Sequence, residues 1–174
     1  MATTTPLNGW PVPTSTDYVK DGATAIEALG DAIDTSVGSG LLAWQTWAPT
    51  LSNTWANGNG VWNAKYCQIG KTVFVSATFT LGSTTTKGGS VAQVSLPVTP
   101  AVTTRPLESA PCPITVAGAG GFLMWCAHSG SNTASMFTFN ASATYLSRNN
   151  VISTVPATWA TNDVMQIAFT YEAA

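Results

Sequence analysis

The sequence predicts a mainly β protein. An antiparallel β-sandwich of jelly-roll type is expected over residues 41–174, preceded by an extended segment (1–18) and a short helix with a Gly linker (19–40). Three observations predict it. From Leu41 onward the chain is rich in Val, Thr, Phe, Trp and Ser, with turn residues at short intervals. Within Thr72 to Leu81, Val73, Val75, Ala77, Phe79 and Leu81 alternate with Thr72, Phe74, Ser76, Thr78 and Thr80, so that one face is core and the other largely polar. No helical pattern separates the strand-like runs, which argues against a parallel α/β fold.

The first element is extended: residues 1–16 hold three prolines and six Ser or Thr, a composition with no core of its own. Next, Val19, Ala23, Ile26, Leu29, Ile33 and Val37 recur at spacings of three and four, marking one helical face. Asp21 can serve as the N-cap, and Gly38 to Gly40 end the pattern. Val19, Ile26 and Ile33 lie seven apart with Leu29 at a d position, yet a helix this short is marginal alone. It needs either its own β domain or a parallel bundle of copies, and two heptads leave the number of copies open.

In the β region, Val61 to Ile69 and Thr72 to Leu81 read as a hairpin turning at Gly70 and Lys71. Further strands are expected at Ser90 to Leu96, Pro113 to Val116, Phe122 to His128, Ser135 to Asn140, Thr144 to Leu146 and Val164 to Tyr171. The stretches GSTTTKGGS, GAGG, HSGSN and SRNN serve as turns between them.

Composition restricts function. Charged residues make up 8% of the chain and the net charge is −2, so nothing resembles the basic footprint that neutralises phosphates, and nucleic acid is not an expected partner. The charges are also uneven. Residues 1–40 carry Lys20 against Asp17, Asp21, Glu27, Asp31 and Asp34, whereas the rest carries five basic and three acidic residues. No apolar run approaches the length that spans a bilayer, and the opening residues do not read as a signal peptide, so no membrane partner is expected. The chain is expected to be kept in the cytoplasm of its producing cell or assembled there into something larger. Cys67, Cys112 and Cys126 are an odd count without CxxC spacing, which fits small buried thiols rather than disulfides or zinc.

Raw material for catalysis is sparse. His128 stands two residues from Cys126 and beside Ser129, a spacing that suggests a nucleophile and base but follows equally from strand alternation. A glycan hydrolase needs paired carboxylates, and the β region offers only Glu108, Asp163 and Glu172. GSGLLA at 38–43 matches a dinucleotide fingerprint in letters, yet follows a helix and precedes a strand, the reverse of the order that binding requires. Asn140 heads a glycosylation sequon that has little weight without a secretory signal. No cofactor or metal is expected. Aromatic content is the richer signal: Trp44, Trp47, Trp55, Trp62, Trp125 and Trp159 all lie in the β region, and Trp suits both sugar stacking and core filling. Trp55, in the turn-rich LSNTWANGNG, is the expected host-surface contact.

The opening NGWPVPTSTDYVKDGATAIEALGDAID, the middle YCQIGKTVFVSATFTLGSTTTKG followed by SLPVTP, and the ending TWATNDVMQIAFTYEAA form three ordered motifs. Together they resemble small tail-associated virion proteins of bacteriophages that infect actinobacteria. The resemblance implies a homotrimeric virion-surface component, of minor tail protein or tail fibre type, bound to other phage structural proteins of the tail or capsid. Trp10, Pro11, Val12, Pro13 and Asp17 would attach it to the particle, and Val19, Ala23, Ile26, Leu29 and Ile33 would form the oligomer interface. Neither a long shaft nor a collagen-like repeat separates helix from β domain, which favours a compact head. The expectation is therefore a non-enzymatic structural protein of the virion, adhering to host-surface glycan. A capsid decoration or head fibre is the second reading and a cell-wall glycan hydrolase the third.

Overall fold

The computed structural model describes residues 3–6, 9–14, 18–40, 43–101, 107–130, 132–142 and 144–174. It divides into two compact units, Met1–Ala43 and Trp44–Ala174.

In the first unit, β1 (Thr3–Thr4) pairs antiparallel with β2 (Pro11–Val12), in the register Thr3 to Val12 and Thr4 to Pro11. A 3-10 turn (Val19–Asp21) leads into helix α1 (Gly22–Gly40). The N-terminal segment is thus a small hairpin rather than a free extended strand, and it lies against the helix: the Trp10 indole N–H donates to Ser36 Oγ at 3.0 Å. Ser36 Oγ in turn donates to the Ala32 carbonyl at 2.8 Å. Trp10, Pro11, Val12 and Pro13 are half-buried, while Asp17 lies outside the described residues.

Two expectations for the helix need correction. Asp21 ends the 3-10 turn directly before the helix without a side-chain cap bond among the described residues, and Tyr18, extended at φ −65° and ψ 139°, is the N-cap of that turn, also without one. The helix also runs through Gly40, taking in the Gly38 to Gly40 stretch expected as a linker. The expected single apolar stripe is split. Leu29 and Ile33 are half-buried with Ala25 and Ala32, whereas Val19, Ala23, Ile26 and Val37 face solvent. Successive residues rotate by about 100°, so positions 25, 29, 32 and 36 form one ridge, and 19, 23, 26 and 37 fall outside it.

The second unit is an antiparallel sheet. Its strands are β3 (Gln45–Thr46), β4 (Leu51–Ser52), β5 (Val61–Ile69), β6 (Thr72–Thr80), β7 (Gln93–Ser95), β8 (Glu108–Ser109), β9 (Cys112–Val116), β10 (Gly120–His128), β11 (Thr133–Asn140), β12 (Ser147–Asn150) and β13 (Val164–Glu172). Among the described residues the order is β3-β5-β6-β13-β9-β10-β11-β7-β4, with β12 on β11 and β8 on β13. Where the sequence predicts two facing sheets, the hydrogen-bonded path is one sheet curled into a half-barrel. The C-terminal strand is the reason: β13 pairs with β6 along its whole length on one side and with β9 and β8 on the other, joining what would otherwise be separate sheets.

Alternation dictates which face is inside. Val73, Val75, Ala77 and Phe79 of β6 and Met165, Ile167, Phe169 and Tyr171 of β13 point to the core, with Ile114, Met124 and Met136 from β9, β10 and β11. Burying each large apolar side chain stabilises the fold by roughly 1.5–3 kcal/mol. The β5–β6 hairpin turns at Gly70 and Lys71, with Gly70 at φ +57°, the positive φ that a two-residue hairpin loop with Gly first requires. SRNN, expected as a turn, forms β12, and the strand expected at Thr144 to Leu146 is not one. These polar residues are held as a strand by pairing with β11, not by an apolar pattern of their own.

Strands β3 and β4 are neighbours in sequence and lie at opposite ends of the sheet order. Residues 47–50 therefore cross between the two edges: the Trp47 N–H donates to the Ala64 carbonyl of β5 at 3.1 Å, and the Ser95 N–H of β7 donates to the Thr50 carbonyl at 3.0 Å. Five residue steps separate Thr46 from Leu51, which sets the gap at no more than about 18 Å.

Candidate functional site

Side chains on the outer face, away from the core, form the best-defined candidate. On β5 these are Val61, Asn63, Lys65 and Ile69, and on β6 Thr72, Phe74, Ser76, Thr78 and Thr80. Register places Asn63 opposite Thr78 and Lys65 opposite Ser76, and Gln166 of β13 extends the first row beyond Thr78. Directly opposed side chains in such a pair sit about 5 Å apart at Cβ, close enough to act on one ligand. The edge strand supplies the aromatic. Tyr66 Oη donates to Gln45 Oε1 at 2.7 Å, which holds Gln45 on the core side of β3 and turns Trp44 and Thr46 to the outer side, beside Lys65.

Trp44, Asn63, Lys65, Ser76, Ala77 and Thr78 line an open groove of about 330 Å³. Trp44 is 53% exposed. Among the described residues no hydrogen bond engages the side chains of Asn63, Lys65, Ser76 or Thr78, and no ion pair or ring contact holds Lys65. The groove thus combines an aromatic face, an amide, two hydroxyls and one cation, all uncommitted. An aromatic platform edged by hydrogen-bonding groups suits a saccharide ring.

Trp55, the expected host contact, is 3% exposed, and the expectation is corrected. Its indole N–H donates to the Ser90 carbonyl at 3.1 Å and its ring meets Trp159 edge-on at 5.9 Å. Around it, Asn57 accepts from the Leu51 N–H and donates to the Pro49 carbonyl, and Asn59 accepts from the Thr84 N–H. A Cβ on Gly58 would lie 2.2 Å from the Thr84 carbonyl oxygen, so the two loops are locked together. Turn composition suggested an exposed loop, but its asparagines Asn53, Asn57 and Asn59 are spent on internal bonds.

The candidate catalytic residues are placed as follows. Cys126 and His128 share the core face of β10, and burial, with Cys112 nearby, pushes the Cys126 thiol up to about 12, the opposite of what a nucleophile needs. Burial lowers the pKa of His128, whose ring meets Tyr171 edge-on. Asp163 is 1% exposed; its two oxygens accept the Ala117 and Ala160 N–H groups at 2.8 and 2.6 Å, a structural use. Glu172 lies nine residues further along, about 30 Å away. Glu108, opposite Thr170, stands diagonal to Glu172, and both are exposed.

A second outer surface lies on the other half of the sheet. Pro113, Leu123, Phe139 and Arg148 run across β9 to β12, beside Trp125 and Phe137, and Arg148 stacks on the Phe137 ring at 4.7 Å. Leu123 is 53% exposed there, and the Trp125 indole N–H is buried without a partner. Sequence reasoning missed Trp44; its signal was a place next to a two-residue strand, between the Gly linker and a polar face. No protein-family model, curated protein or solved structure matches the chain.

Proposed function

We propose that the protein is a non-enzymatic structural component of a bacteriophage virion surface, of tail fibre or minor tail protein type, that adheres to host-surface glycan through the groove at Trp44. The observation that carries the adhesive part is the groove itself: an exposed tryptophan beside four polar side chains without internal partners. The virion part rests on the three ordered motifs, which resemble those of phage tail-associated proteins. The N-terminal unit would attach the protein to tail or capsid through Trp10, Pro11, Val12, Pro13 and Asp17, exchanging the Trp10 contact with Ser36 for one with the particle. Copies would join through the outward stripe of Val19, Ala23 and Ile26 together with Leu29 and Ile33. In the proposed homotrimer the curled sheets would pack around a common axis as a sandwich-like head. Weak contacts by each copy would add up through multivalency.

Antibody labelling of intact virions tests this reading. Label at one end, in few copies, fits the tail assignment. Label over the shell at high copy number replaces it with a capsid decoration or head fibre, and unlabelled virions refute both. Release of sugar from host envelopes, abolished by Glu108→Ala, would replace adhesion with hydrolysis.

A further inference from the structure

Lys65 stands out in the groove because nothing neutralises it. Among the described residues it makes no ion pair, and it is not stacked on Trp44 or another ring, unlike Lys20 on Tyr18 and Arg148 on Phe137. No carboxylate lines the groove. Along the outer face, the row holding Lys65 continues to Ser76 and Ala168, and the row holding Asn63 continues to Thr78 and Gln166, again without an acid. The nearest carboxylate on β13, Glu172, lies four residues beyond Ala168, about 13 Å along the strand. That is beyond one Debye length at physiological salt. Of the three acidic residues after position 40, Asp163 is buried and Glu108 of β8, opposite Thr170, stands three strands away from Lys65, so the face around Lys65 carries a local positive potential in a surface otherwise poor in charge.

We propose that the groove takes a saccharide bearing an anionic group, with the anion at Lys65, the apolar face of a sugar ring on Trp44, and ring hydroxyls on Asn63, Ser76 and Thr78. This rests on the reading of the groove as a saccharide contact, and it adds the class of sugar. Neutral sugars would use the tryptophan and the amide but leave the ammonium without a counter-charge. Lysine is a compact point charge and serves a carboxylate or a phosphate alike, so the shared chemistry is the anion on the sugar. In an open groove such a pair yields only a small gain, so the anionic sugar is favoured about threefold at low salt.

The test titrates the full chain with trigalacturonate, with its methyl ester, which keeps the ring and removes the charge, and with maltose 1-phosphate. Binding is followed by NMR at the Trp44 indole N–H, assigned through Trp44→Phe. The expected result is an approximately threefold preference for the charged probes over the ester, lost in 0.5 M NaCl and in Lys65→Gln and kept in Lys65→Arg. The ranking of the two charged probes then names the anion. Equal binding of trigalacturonate and its ester at Trp44 overturns the anionic class and leaves a neutral-sugar groove. Probe-induced shifts of backbone amides that persist unchanged in both Trp44→Ala and Lys65→Gln overturn the location. No response to any probe, in a chain whose spectrum remains folded, overturns the saccharide reading itself.

Discussion

Helix α1 and strand β6 are both rich in apolar residues, yet they use them in opposite ways. Every core-facing residue of β6 is buried, with Val73 and Phe79 fully inaccessible. Among the described residues of the N-terminal unit none is buried, and Val19 and Ile26 are 98% and 64% exposed. The β unit has neighbours for its apolar face within its own sheet, so its stability is internal. Among the described residues of its own unit the helix meets a short hairpin on one side, and its remaining stripe is what a segment completed by other chains shows. Apolar content alone therefore says little about where stability resides. What matters is whether the chain itself supplies the opposing surface.

Substitutions can break this contrast. Phe79 packs at 4.5 Å from the Trp62 ring, and a Cβ on Gly60 would lie 2.4 Å from it, so Phe79→Ala leaves a cavity in a filled site. The expected loss is about 3–5 kcal/mol in denaturant unfolding. Tyr171 Oη donates to the Val98 carbonyl at 2.7 Å and accepts the Val98 N–H at 3.1 Å, bonding across 73 residues. Burial pushes this phenol up to about 12, so it stays protonated and able to donate. Tyr171→Phe strands both Val98 groups and is expected to cost about 1–3 kcal/mol in the same assay.

Smaller effects sharpen the comparison. Burial lowers the folded-state pKa of His128 below the ordinary value of about 6.5. Between the two values the unfolded chain binds more protons, so stability falls as pH drops through that window and levels off below the folded value. His128→Gln should flatten this slope in thermal melts taken across the range. Smallest of all should be the effect of Ile26→Asp with Ile33→Asp on unfolding of the β unit, within about 0.5 kcal/mol, because neither residue is buried. The same pair is expected to yield monomers in light scattering. Trimers that persist would mean that the β unit assembles the protein.

Strand identity was legible where alternation was regular. The hairpin over 61–80 and the last strand fall where the sequence predicts them, because period-two patterns flanked by turn residues have no competing reading. Strands β3, β4 and β8 span two residues each and are defined by their partners, so no local pattern exists to read. Sandwich and half-barrel impose the same inward alternation on each strand, so the pattern tells which side chains are inside but not whether the facing wall belongs to the same sheet. The site was less legible. Trp55 and Trp44 are the same residue type, and only long-range contacts such as that with Ser90 decide which is sequestered.

The crossing at residues 47–50 has a mechanical consequence. Any pull transmitted along the chain from the N-terminal unit enters the β unit at Trp44 and reaches β3, a two-residue edge ladder held at Tyr66 and Lys65. Beyond it the load meets the Trp47 bond to Ala64 and then, through Thr50, the opposite edge at Ser95. Tension would therefore reach the two rims of the half-barrel in turn, the β3 rim before the β7 rim. Trp44 and Lys65 lie where that force first arrives, so a ligand in the groove and a tug on the tether would act on the same few bonds.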